Sequence, residues 1–178
     1  MRISMLEFIL LIASLMSVVA LAIDMVLPAL GFMAQDFGAN GSDIQLVVTS
    51  LFAGFAIGQL IYGPVSDRVG RLPSIYVGFL LFILGCVITM SAQTLEMVLV
   101  GRFLQGIGAS GPRIMVAALA RDCFSGRAMA RVMSFAGSVF MLVPILAPML
   151  GQVLLWFGPW QYIFALYIIL ALLLCAWT

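Results

Sequence analysis

Apolar residues fill this chain in six long runs, separated by short stretches rich in charge, glycine and proline. The runs cover Phe8 to Leu30, Leu46 to Pro64, Ser74 to Met90, Met97 to Ala120, Val132 to Leu155 and Gln161 to Trp177. Each approaches the roughly 20 residues that carry a helix across a bilayer at about 1.5 Å per residue. They are longer than a soluble core helix needs, so the elements they predict are membrane-spanning helices whose outer faces meet lipid. The connections are short, which makes successive helices antiparallel and residues 1–178 one compact domain without a linker. The fold class expected is therefore all-α, a bundle of six transmembrane helices.

The opening run admits a second reading as a secretory signal, because Arg2 precedes it and Ala20-Leu21-Ala22 resembles a small-residue cleavage site. It continues through Asp24 to Leu30, longer than the apolar region of a signal, and five more runs follow. Retention as the first span is the simpler expectation.

Composition narrows the function classes. Hydrophobic residues make up 65% of the chain and charged ones 8%, so lipid rather than water is the main solvent. Net charge is +1, with neither Lys nor His, which leaves no basic surface of the density nucleic-acid binding requires. Cys86, Cys123 and Cys175 are scattered and odd in number, so they read as packing residues, not a disulfide framework or a metal site. Without histidine, a metal-ligand cluster or a nucleophile-base pair, an enzyme is not expected, nor a metal or an organic cofactor.

The arginines set an orientation. Arg2, the Arg68/Arg71 turn and the Arg121/Arg127/Arg131 turn fall on one side, while the other connections carry Asp36, Asp43 and Glu96 and no basic residue. By the positive-inside bias both termini are expected on the cytoplasmic side of the cytoplasmic (inner) membrane.

Candidate chemistry lies where charge interrupts oil. Asp24 falls in the first span, Arg102 and Arg113 in the fourth. Each costs about 3 kcal/mol at mid-bilayer unless it is partnered or meets water, so a functional cavity is the default reading. Arg102 and Arg113 are 11 residues apart and return to within roughly 20° of one helix face, about 16 Å apart along the axis. Gln105 and Ala109 lie near the same line, which describes a helix facing a cleft.

Asp24 and Arg102 are both expected about 9 Å from the outer ends of their spans, placed to pair across that cleft, with protonation of Asp24 loosening the pair. A purely structural ion pair is the plain alternative. Gly54, Gly58, Gly106, Gly108, Gly111, Pro112, Pro144, Pro148 and Gly151 supply close helix approach and kinks, which serve packing and rocking alike.

Longer motifs add a family resemblance. Gly63-Pro64-Val65-Ser66-Asp67-Arg68-Val69-Gly70-Arg71-Leu72 resembles the signature turn between helices two and three of the major facilitator superfamily, with Leu72 where a basic residue is usual. Asp24 to Leu30, Arg102 to Ala109, Ala120-Arg121-Asp122 and Ala147 to Gly151 are similar to signatures of its drug-proton antiporters, of the multidrug and bicyclomycin resistance type. Val143, Ala147 and Gln152 depart from the helix-five pattern, which prefers glycine there.

The resemblance implies the N-terminal half of a major facilitator fold, built as two inverted three-helix repeats, with helices one, two, four and five around the cleft. It implies proton-coupled export of drugs or amphipathic metabolites, and hence antibiotic resistance, driven by the proton gradient instead of a cofactor. Asp24, Arg102, Gln105 and Arg113 would serve proton coupling and the substrate cavity. Gly63, Asp67, Arg68, Gly70 and Arg71 would form a cytoplasmic gating motif, and Pro144, Pro148 and Gly151 the antiporter motif of helix five. The implied partners are the bilayer, protons, a small amphipathic substrate, and a C-terminal half that these 178 residues lack, or a second copy in its place. The competing expectation is a truncated N-terminal fragment with no transport of its own.

Overall fold

The computed structural model describes residues 5–178; the charge of Arg2 falls outside them. All regular structure among the described residues is helical: α1 Met5–Asp24, a 3₁₀ turn Leu27–Ala29, α2 Leu30–Phe37, α3 Gly41–Val69, α4 Arg71–Met90, α5 Leu95–Cys123, α6 Gly126–Phe157 and α7 Gln161–Trp177. These are the six expected spans, with the first one divided.

That division corrects the unbroken first run. Pro28 has no N–H to offer the carbonyl of Asp24, four residues back, and α1 stops at Asp24. The chain recovers as α2 and runs on to Phe37, where Gly38, at φ 60°, turns its N–H back to the carbonyls of Ala34 and Gln35. The middle helices also outrun their apolar segments, because a helix ends at its caps and not where hydrocarbon ends. Gly70, at φ 98°, stops α3 with its N–H on Ser66 O at 3.0 Å, and the Thr94 hydroxyl accepts from Met97 N at 3.4 Å to start α5.

Four segments, Met5–Phe37, Gly41–Val69, Arg71–Met90 and Gly126–Phe157, are long and apolar enough to cross a membrane by composition alone. The apolar α7 has 17 residues, and α5 carries Arg102, Gln105, Arg113 and several glycines. The reason α5 tolerates them is position: it is the innermost helix. Gly54 and Gly58 of α3 lie against Phe103 O and Ile107 O of α5, and Gly106 against Leu51 O. On the other flank Gly78 and Gly85 of α4 meet Gly108 O and Gly101 O. Any Cβ at these positions would strike backbone, so glycine is what lets the axes approach.

The principal pairings are α5 with α3 and α4, α1 with α6 and α7, α4 with α7, and α1 with α5. Exchanging the first span with the fourth, the second with the fifth and the third with the sixth leaves this set unchanged. The first and fourth spans run in opposite directions, so the triplets are inverted repeats. The outward faces stay apolar: Leu60 and Phe157 are each 78% exposed and Trp156 75%, surfaces that only lipid or further apolar helices can cover.

Candidate functional site

Arg102 sits at the junction of the repeats and is fully buried. Its guanidinium donates from Nη2 to Ala22 O at 2.7 Å, from Nε to Val47 O at 3.3 Å and from Nη1 to Gln105 Oε1 at 2.7 Å. The guanidinium carbon lies 5.7 Å from the Phe164 ring centroid. One side chain thus ties α5 to α1, α3 and α7. Gln105, also fully buried, donates to Cys86 Sγ at 3.2 Å. Tyr167 packs edge-on against Phe164 and donates its hydroxyl to Leu21 O at 2.7 Å.

Two expectations change here. The Asp24–Arg102 ion pair is not formed: backbone carbonyls and an amide take the guanidinium's donors, and Asp24, partly exposed at the end of α1, is in no ion pair among the described residues. Nor does the Arg102–Gln105–Ala109 stripe face a cleft, because α1, α3, α4 and α7 close over it. Asp24 nonetheless lies two residues from the carbonyl that Arg102 holds, beside the break that Pro28 makes.

Arg113, three turns further along α5, meets a different environment. It is half-buried, its guanidinium carbon is 5.8 Å from the Phe140 ring centroid of α6, and it lines a groove of about 420 Å³. Phe55 and Gln59 of α3 and Ile114, Ala117 and Arg121 of α5 complete the lining. Only this end of the arginine stripe opens.

The glycine turn between α3 and α4 gathers its charges on Arg71. Nη1 donates to Asp67 Oδ1 at 2.7 Å and Ser66 Oγ at 2.9 Å, and Nε reaches Asp122 Oδ2 at 3.4 Å, at the end of α5. The bond donated to Asp67, helped by Asp122, raises the guanidinium pKa above its ordinary value. Arg68 is exposed and outside this set, and Gly63 has open space around it. Asp122 as the third member was hidden from the sequence, since it lies 51 residues away. Phe8 packs on Phe124 with ring centroids 5.1 Å apart, so the start of α1 shares this end of the bundle.

At the opposite end Asp36, Asp43 and Glu96 line one pocket, and Asp36 accepts from Trp160 Nε1 at 2.7 Å. Neither the Trp160 clamp nor the Tyr167 and Cys86 surroundings of Arg102 carried a sequence signal beyond polar groups within apolar runs. In α6 the helix is continuous through Pro144 and Pro148. Pro144 is exposed, Pro148 lines an open groove of about 410 Å³ with Pro28, and Gly151 is buried against Met25 O at the break in the first span.

Comparison with known proteins follows the same outline. The sequence model of the Major Facilitator Superfamily matches residues 12–178. The chain is 36% identical over 142 residues to the multidrug resistance protein MdtL of Klebsiella pneumoniae strain 342, and 37% identical over 142 residues to that of Escherichia coli K12/DH10B. Each match covers 80% of this chain and 36% of the relative, so the chain spans little more than a third of these relatives. The fold is similar to a D-xylose–proton symporter, with a TM-score of 0.83 at 18% identity, over 98% of this chain and 48% of that one. It is equally similar to the inward-open xylose transporter XylE of E. coli, with a TM-score of 0.85 at 17% identity, over 97% and 47%. At such identities the likeness is one of fold alone, and it is to about half of each transporter.

Proposed function

Because the chain belongs to the major facilitator superfamily, we propose that it forms the N-terminal six-helix half of a carrier that exports drugs or amphipathic metabolites in exchange for protons. One observation carries the proton-coupled reading: a buried guanidinium, with no counter-anion among the described residues, joins four spans and is bonded two residues from a partly exposed carboxylate. A proton arriving on Asp24 removes a charge two residues from the carbonyl that Arg102 holds, at the join of α1 and α5. The break at Pro28 and the contact of Gly151 with Met25 O, both close to Asp24 in the chain, support this reading. A proton there biases two packings of the bundle, which is what alternating access needs.

The drug substrate rests on the relatives named multidrug resistance proteins, and on methionine and aromatic surfaces that adapt to varied apolar shapes. The Arg71–Asp67–Asp122 cluster acts as the cytoplasmic latch, with the arginine-rich end of the bundle inside the cell and both termini there. Half-coverage of the solved transporters supports a second six-helix unit completing the path, either a C-terminal half or a second copy of this chain. The second reading, which the same coverage favours, is a six-helix fragment that inserts in the membrane and has no transport of its own.

The experiment is uphill dye efflux from proteoliposomes holding the assembled carrier, with Nile red as a neutral amphipath and dansyl-undecanoate as an anionic one. An imposed proton gradient is expected to drive efflux in the natural protein and not in Asp24→Asn or Arg102→Lys. Efflux by both variants at the natural rate would remove these residues from coupling, and no efflux of any probe would leave the non-transporting reading.

A further inference from the structure

We infer that the groove between α3 and α5 is an anion site, taking the phosphate or carboxylate headgroup of an amphipath through Arg113, with Arg121 at its mouth. Three observations on independent side chains converge there. First, Arg113 and Arg121 line the same space of about 420 Å³, two helical turns apart, about 12 Å along α5 from the end of the helix into the span. Second, neither forms an ion pair among the described residues. The described carboxylates at this end are Glu7, Asp67 and Asp122; Glu7 already has a partner and Arg71 holds the other two. The same end also carries Arg68, Arg127 and Arg131, so among the described side chains positive charge is in surplus there.

Third, the rest of the lining suits the two ends of an amphipath. Gln59 offers an amide to a headgroup oxygen, while Phe55, Ile114 and Ala117 line the groove with apolar surface for a body. The Phe140 ring lies beside the Arg113 guanidinium at cation–π distance. A half-buried guanidinium with no acid costs energy in the span, and a bidentate carboxylate or phosphate is the chemistry that relieves it. The shape also orders the approach: Arg121 attracts the anion at the aqueous end, and Arg113 receives it deeper.

This narrows the substrate of the transport reading and rests on it only for the fate of the ligand, since binding is measured without a gradient. The full chain is placed in nanodiscs of neutral phosphatidylcholine and titrated with dansyl-undecanoate, its neutral amide and its ammonium analogue, each read by dansyl fluorescence. The anion is expected to bind about tenfold more tightly than the amide, as one charge-assisted contact predicts. Arg113→Gln brings the anion to the amide's affinity, and Arg113→Lys, which keeps the charge, retains most of the preference.

A second arm uses nanodiscs containing phosphatidylglycerol and native mass spectrometry. Phosphatidylglycerol retained by the natural chain and by Arg113→Lys but lost from Arg113→Gln assigns the headgroup to lipid, and the first arm alone assigns it to a free amphipath. Equal affinity for anion and amide, with no phosphatidylglycerol retention that depends on Arg113, overturns the proposal. A loss seen equally in Gln and Lys variants that melt like the natural chain overturns it as well. Failed proton coupling with an intact anion preference would sink the transport reading and leave this site standing.

Discussion

A guanidinium costs most where water is absent, so Arg102 is held by geometry before it serves any transport role. Three of its nitrogens meet carbonyl-type acceptors on α1, α3 and its own helix. Arg102→Ala strands those acceptors and leaves a hole, and is expected to destabilise the bundle by about 3–5 kcal/mol, read as a lower melting point in detergent. Arg102→Lys retains the charge but cannot reach three acceptors from one nitrogen, and a loss of about 1–3 kcal/mol is expected. Equal melting of all three proteins would contradict the junction described here. The sequence made Arg102 visible as charge within an apolar run. It could not show that the partners are backbone carbonyls, because every residue offers a carbonyl and none marks itself; an acid in a neighbouring span was the only partner with a signature, and Asp24 filled that place in the expectation.

Elements were legible to the extent that hydrophobicity governs them. Six runs gave six spans, but their ends and the break in the first depend on caps and on Pro28, whose effect on Asp24 is local backbone chemistry within an apolar background. The glycines are told apart only by their neighbours. A side chain at Gly58 meets Ile107 O at 2.9 Å, so Gly58→Val should push α3 off α5 and cost about 1–3 kcal/mol. Nothing lies within 4 Å of a Cβ at Gly137, inside α6, and Gly137→Ala should be neutral or stabilise by about 0.5–1 kcal/mol through helix propensity. Thermal melting in one detergent compares the two, and a destabilising Gly137→Ala beside a silent Gly58→Val would refute the seam. At the charged turn, Asp122→Asn removes a partner at 3.4 Å that is itself 54% exposed, so the melting point is expected to change little. Its effect should instead be on opening, read as faster thiol labelling of the adjacent, exposed Cys123 in a Cys175→Ser background.

Across the described residues, two inverted three-helix repeats join at the buried Arg102 and leave apolar faces outward. Charge segregates along the bundle, with Arg68, Arg71 and Arg121 at the end where Asp122 meets Arg71 and Asp36, Asp43 and Glu96 at the other. An impermeant maleimide should therefore reach Cys123 in inside-out vesicles and not in right-side-out ones; the reverse pattern would invert the topology. Linkage makes coupling reciprocal: if protons drive substrate, substrate must drive protons. The direct measurement is internal pH in proteoliposomes of the assembled carrier when a dye gradient, and no pH gradient, is imposed. An outward dye gradient is predicted to draw protons inward in the natural protein, and Asp24→Asn to abolish that flux while dye still binds. A proton flux undiminished in Asp24→Asn would contradict the claim that the carboxylate beside Arg102 carries the proton.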